Sequence, residues 1–195
     1  MAPGFELARG AYDALLFDCD GTLVHTAELH HFALAAAMKK LGHQFARDWY
    51  QERVGLSLIQ VLAEFNQRNE ARLTPQDISP LEEEVFCGNA AMIREVAAVA
   101  TIVRGNVGRI AMAVVSSSTR RMVQASLEAV QLASYFSTMV TVEDVPNPKP
   151  APDGFLEAAR RLSVAPDRCL VFEDSEQGLE AARRAGMHAL DVRSL

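Results

Sequence analysis

Three cysteines in 195 residues are too few and too scattered to form a framework. Cys19, Cys87 and Cys169 make no Cys-x-x-Cys pair, which excludes a disulfide scaffold and a zinc knuckle. A reducing, cytoplasmic compartment is the expectation. Basic charge is also in short supply: 19 Lys and Arg face 25 Asp and Glu, for a net charge of -6. Nucleic acid and anionic membranes recruit clustered Lys and Arg, so neither is an expected partner. A small anionic substrate stays compatible, because one cation and one buried lysine reverse the sign of a site locally. Long apolar runs are missing as well. Stretches such as 96–103 fall far short of the roughly 20 residues that span a bilayer. The opening MAPGFELARGAYD carries charges but no apolar signal segment, so no secretory leader is expected. No repeat or low-complexity tract is visible, and no glycine-rich stretch precedes Lys-Ser or Lys-Thr, which excludes a P-loop.

The composition that remains is 49% hydrophobic and 23% charged, enough to bury one large domain or one domain with a small insert. Residues 12–17 (YDALLF) read as a buried strand ended by Asp18-Cys-Asp-Gly, a turn. A helix follows over about 27–41, with Gly42 as its stop. From about 45 to 93 the chain reads as helical, interrupted at Leu73-Thr-Pro75, with a further helix starting near Ser79-Pro80. The rhythm then changes. Strands are expected at 110–115, 138–142, 169–172 and 187–192, separated by helices at about 120–130, 153–162 and 176–185. Ser116-Ser-Ser-Thr119 offers a cap to the first of these helices. Strands alternating with helices predict a parallel sheet with right-handed crossovers. The expected fold is α/β, a Rossmann-like five-stranded parallel sheet core with an inserted α-helical cap domain. The core spans 1–26 and 96–195, and the cap spans 27–95.

The polar residues fall in one kind of place. Asp18 and Asp20 follow the first strand, Ser116 and Ser117 the second, Lys149 the third, and Glu173 and Asp174 the fourth. These are carboxyl ends of strands, the edge where open α/β sheets build their sites. Crowded carboxylates repel one another, and a hard divalent cation relieves that cost, which makes Asp18, Asp174 and Glu173 candidate Mg²⁺ ligands. A carboxylate beside such a cation can attack phosphorus, so Asp18 is the candidate nucleophile. Lys149 and the Ser116 hydroxyl would neutralise and orient phosphoryl oxygens. Asp20 would serve as the acid and base, and Gly21 would permit the turn that exposes both aspartates.

Asp18-Cys-Asp20-Gly-Thr-Leu-Val, Ser116 after an apolar strand, Lys149-Pro-Ala-Pro-Asp and Phe172-Glu-Asp174-Ser-x-x-Gly178 together resemble the four motifs of the haloacid dehalogenase superfamily. The order matches across about 12–192. The helical insertion is similar to the cap of the subfamily with β-phosphoglucomutase and bacterial sugar phosphatases. The stretch 149–192 is similar to bacterial fructose-1-phosphate and 6-phosphogluconate phosphatases. The resemblance implies Asp18 as nucleophile and metal ligand, and Asp20 as acid/base lending its backbone carbonyl to Mg²⁺. Ser116, with Ser117, and Lys149 are implied to hold phosphate. Asp174 is implied to ligate the metal, with Glu173 beside it. The implied activity is Mg²⁺-dependent hydrolysis of small phosphorylated sugars or sugar acids. A monomer is the working expectation, on which the residues themselves are silent. Two departures stand out. Relatives often carry Asp where this chain has His25, and Leu58 follows Ser57 where the mutase has an arginine for a second phosphate. The second departure favours hydrolysis over mutase chemistry, unless Arg120 or Arg53 supplies that grip.

Each of these residues also has a blander reading. Asp-Gly alone is usually only a turn, Ser116 and Ser175 are candidate helix caps, and a lone lysine is ordinarily solvated. His25, His30, His31 and His43 do not form a transition-metal set, because adjacent His30 and His31 point to different faces of a helix. His30 and His25 are instead candidates for the substrate cleft, as is Arg120. A cysteine phosphatase would place arginine six residues after its nucleophile; those positions hold His25, Ile93 and Ser175. A phosphorylatable receiver module uses similar residues, but it is shorter, has no inserted cap, and carries its acceptor Asp after the third strand.

Overall fold

The computed structural model describes residues 10–53 and 56–195. Residues 1–9, and Gly55 of the Gly55-Leu-Ser57-Leu58 stretch, lie outside the described residues. Strand β1 (Ala14–Phe17) sits at the centre of a parallel five-stranded sheet ordered β5-β4-β1-β6-β7. The others are β4 (Ala111–Val115), β5 (Thr138–Val140), β6 (Cys169–Glu173) and β7 (His188–Asp191). Strand β1 has helices on both faces, which explains its unbroken apolar run. Leu15 and Phe17 join one core cluster, while Ala14 and Leu16 point into the other, the alternation a strand imposes. Phe17 stacks on Phe172 of the neighbouring strand, with ring centroids 4.6 Å apart.

Between β1 and β4 the chain forms helices α1 (Ala27–Lys40), α2 (Arg47–Gln51), α3 (Leu58–Asn69), α4 (Pro75–Gly88) and α5 (Ala97–Asn106). Leu34, Met38, Val61, Leu62, Phe65 and Ile78 form a separate apolar cluster within α1, α3 and α4. A two-stranded antiparallel ribbon, β2 (Val24–His25) against β3 (Arg94–Glu95), ties together the chain entering and leaving this helical segment. The periodicity did not reveal the ribbon, since two-residue strands carry no period. Nor does α4 begin near Ser79-Pro80. Thr74 and Asp77 form a capping box with Pro75 at the first helical position, so Pro80 lies inside the helix. The apparent break was a helix start. Ser57 and Gln60 cap α3 in the same reciprocal way.

The remaining helices follow their strands: α6 (Arg120–Ala129), α7 (Asp153–Leu162) and α8 (Glu176–Arg184). Thr119 and Ser175 cap α6 and α8 through their side chains. No helix among the described residues is long and apolar enough to cross a membrane.

The loop after β5, which leads to Lys149, is tied down by Asp144. Its carboxylate accepts from Arg120 at 2.6 Å, Arg161 at 2.8 Å, and the Thr141 amide and hydroxyl at 2.8 and 2.9 Å. Burial opposes ionisation, but these donors outweigh it and hold the carboxyl down at about 2, from an ordinary 3.8. A depressed pKa stabilises the fold above the unfolded value. Asp144→Asn should therefore lower the melting temperature at neutral pH. The gap to the parent protein should close between about pH 4 and pH 2, as parental Asp144 protonates. Thermal melts across that range check it, and a gap that persists at the acid end counts against the assignment.

Candidate active site

Register brings the site together. Phe17 pairs with Phe172 on one side and with Val114 on the other, so Asp18 emerges beside Glu173 and Val115. The Asp18 amide continues the ladder to Phe172 O at 3.0 Å, and the Ser116 amide reaches Val140 O at 3.0 Å. All of these residues lie at the strands' carboxyl ends. Chain order reverses about β1, the position where doubly wound sheets open a crevice.

Lys149 is the hub. Its Nζ donates to Asp18 Oδ1 at 2.6 Å, Glu173 Oε2 at 2.7 Å and Val115 O at 3.1 Å. The side chain lies against the Phe155 ring in a pocket that leaves the residue 9% exposed. Burial penalises its charge, yet the two carboxylates outweigh that and hold the ammonium above its usual range. Asp18 is pushed the other way. Burial comes first, the Glu173 charge adds to it, and Lys149 only partly offsets them, so its carboxyl sits well above the ordinary range.

Glu173 is 1% exposed and engaged at both oxygens. Oε2 faces Lys149, while Oε1 accepts from the Asp174 and Ser175 amides at 3.1 and 3.0 Å and from the Ser175 hydroxyl at 2.8 Å. It anchors the lysine and the start of α8 together. A Cβ on residue 178 would meet Glu173 Oε2 at 1.9 Å, which is why glycine follows the acid pair at that interval. Gly21 is required for a second reason besides its φ of +93°: a Cβ there would lie 2.2 Å from Asp174 Oδ2.

Oxygens of Asp18, Glu173 and Asp174 lie within 4.8 Å of one another. Asp174 is raised to about 6 by burial and by Glu173, despite a hydrogen bond from Thr22 at 3.0 Å. Three clustered carboxylates, two of them buried and the third partly so, beside one lysine form the oxygen donor set a hard divalent cation favours, so these residues fit Mg²⁺.

The Asp20 side chain is not in that group. It turns toward the cleft and accepts four bonds: Thr26 at 2.7 Å and His30 Nε2 at 3.1 Å on Oδ1, Ser118 at 2.8 Å and Ser116 at 3.2 Å on Oδ2. Burial opposes its charge, but His30 and the hydroxyl donors prevail and hold it below the usual carboxylate range. His30, in turn, bridges Asp20 and Glu82, whose Oε1 lies 3.5 Å from Nδ1. Burial works against protonation there too, yet the two acids raise the imidazole to about 10. Thr22, Thr26, Ser118 and Glu82 escaped the sequence reading. Thr26 lies five places past Gly21 and Ser118 two past Ser116, but a hydroxyl in a polar loop carries no local mark of its partner.

A cavity of about 640 Å³ opens above Asp18, between the sheet edge and α1, α3 and α4. Ser116, Ser117, Lys149, Glu173, Asp174 and His30 line it. His25 does not, because it stands on the exposed face of β2 while Val24 takes the buried one. Arg120 does not either. Its guanidinium is held by Asp144 and its amide donates to Glu143 at 2.6 Å. Arg53 lies over Trp49 at 4.1 Å and pairs with Glu64 and Glu52. His31 and His43 pack on the aromatic rings of Phe45, Tyr50 and Phe65.

Residues 15–192 match the family model described as haloacid dehalogenase-like hydrolase. This chain belongs to that family. It is 35% identical over 190 residues to the fructose-1-phosphate phosphatase YqaB of Escherichia coli (strain K12), covering 94% of this chain and 98% of that one. A phosphorylated carbohydrates phosphatase of Thermotoga maritima is 29% identical over 186 residues, covering 91% and 83%. Among solved structures, CbbY from Rhodobacter sphaeroides in complex with phosphate superposes with a TM-score of 0.82 at 29% identity, covering 91% of this chain and 84% of that one.

Proposed function

We propose that this haloacid dehalogenase-like hydrolase is a Mg²⁺-dependent phosphatase of small phosphorylated sugars or sugar acids, with Asp18 as nucleophile. The observation that carries the reading is the buried Asp18–Lys149–Glu173 ion cluster, with Asp174 alongside, on the floor of a cavity sized for one small metabolite. The phosphatase relatives named above support the reaction class. In this reading 27–95 is the cap over a core of 1–26 and 96–195.

The steps follow from the residues. Asp18 attacks phosphorus and the ester P–O bond breaks, leaving an aspartyl-phosphate. Lys149 and the Ser116 and Ser117 loop hold phosphoryl oxygens. Asp20 protonates the departing oxygen, and the proton it needs is held on His30 Nε2, 3.1 Å away. Water then attacks the acyl phosphate and gives its proton to Asp20, which restores Asp18 and releases phosphate. Asp18, Asp174, Glu173 and the Asp20 carbonyl would hold Mg²⁺, which supplies charge neutralisation for the phosphoryl group. Arg120 and Arg53 are engaged elsewhere, so neither offers the second phosphate grip of a mutase.

The test is phosphate release from a panel of phosphorylated sugars, sugar acids and nucleotides. Release from sugar or sugar-acid esters with Mg²⁺, and its loss in excess chelator, is expected. Full activity in chelator would remove the metal from the mechanism. Conversion of β-glucose-1-phosphate to glucose-6-phosphate, in place of free sugar, would make the protein a mutase.

A further inference from the structure

The cavity has an unusual charge inventory. Among the described residues, its positive side chains are Lys149, His30 and Arg193. Lys149 is committed to Asp18 and Glu173, and His30 lies between Asp20 and Glu82. Arg193 is committed to Asp191 at 2.6 Å and Glu176 at 2.7 Å. What remains on the cap side is apolar (Leu34, Leu56, Ile59) except for Ser57, Ser79 and Glu82. The Ser57 hydroxyl is already bonded to Gln60 in the helix cap. Glu82 is different. It is a charged residue only 8% exposed, on the buried face of α4, and it lines the cavity. One oxygen faces His30 at a long 3.5 Å, and the carboxylate makes no other hydrogen bond among the described residues.

We infer that Glu82 is the specificity-determining residue of this site, and that it selects monophosphate esters of neutral, hydroxyl-bearing molecules and rejects substrates with a second anionic group. The inference rests on the phosphatase reading and narrows it to neutral sugars and polyols. A buried carboxylate with spare acceptor capacity is matched by a hydroxyl donor and left uncompensated by an apolar group. A carboxylate or second phosphate placed there meets like charge in a low-dielectric wall, and every cation lining the cavity among the described residues is already paired with acids. The apolar lining accommodates the C–H faces of the same sugar.

Steady-state kinetics with Mg²⁺ would compare a hexose-1-phosphate with phosphoglycolate, 6-phosphogluconate and a hexose bisphosphate, for the parent chain and for Glu82→Gln and Glu82→Asp. The parent should favour the neutral ester in kcat/KM by at least about tenfold over each doubly anionic substrate. Glu82→Gln should raise KM for the neutral ester by about tenfold and narrow the preference by a similar factor. Glu82→Asp keeps the charge in the wall and should keep the rejection of anions even where hexose binding weakens. Equal use of anionic and neutral esters by the parent would overturn the inference while leaving a phosphatase. So would a Glu82→Gln defect that lowers kcat for every substrate alike, since Glu82 would then act only through His30. Absence of phosphate release from any ester would sink the phosphatase reading itself.

Discussion

Asp18→Asn should lower kcat by at least about 10⁴-fold and at the same time raise the melting temperature of the metal-free protein. The first effect follows from losing the proposed nucleophile: an amide oxygen would not form the aspartyl-phosphate of that reading. The second follows from the charge balance of the site. Asp18, Asp20, Glu173 and Asp174 crowd around two cations, Lys149 and His30, and folding raises the Asp18 pKa by burial and by the Glu173 charge. A raised folded-state pKa means that ionisation at neutral pH works against the native state. Asparagine stays neutral and its Oδ1 still accepts from Lys149, so the cost disappears without orphaning the ammonium. The stabilisation should be present at neutral pH and should fade toward the ordinary carboxyl value of 3.8, where the parental group is protonated too. Phosphate-release assays and thermal melts in chelator check both halves. An Asn variant that is inactive but less stable would mean that Asp18 holds the site together, contrary to the geometry.

Lys149→Met is expected to lose both properties. Methionine fills much of the same volume beside Phe155 but leaves Asp18 and Glu173 buried without their shared counter-charge and leaves Val115 O without its donor. Removing one partner of a buried ion pair costs about 3–5 kcal/mol, which for a chain of this length lowers the melting temperature by about 10 °C. Activity should fall by about 10³-fold or more, because phosphoryl charge loses its fixed cation. Circular dichroism melts and single-substrate kinetics test the pair of effects. Near-parental turnover would remove Lys149 from phosphate binding. The opposite stability signs of the two variants, one acid removed and one cation removed, test the charge balance more sharply than either alone.

Much of this arrangement was legible in the chain. The five strands were readable because a strand buried on both faces is a short continuous apolar run, and 110–115 and 169–172 stood out against the polar turns that follow them. Asp18, Ser116 and Glu173-Asp174 were legible because each ends such a run, and Lys149 because it stands between prolines in the loop after the third strand; the sheet order then brings them together. The start of α4 was misread because Thr-Pro reads equally as a break and as a cap with Pro at the first helical position. His25 and Arg120 are expected in the cleft from the chain alone, yet strand alternation turns the first outward and Asp144 engages the guanidinium of the second.

By itself, then, the order of residues determined which candidate side chains would sit together at one edge of a parallel sheet. Strand periodicity and the turn after each strand are local properties, and local physics suffices to read them. Tertiary structure alone decided that Asp20 faces His30 and Ser118, that Glu173 anchors Lys149, and that Glu82 is left in the cleft wall with acceptor capacity to spare. Those contacts join residues 10 to 98 positions apart. Burial and the sum of neighbouring charges, which exist only once the helices close over the sheet, set what each of these groups can do.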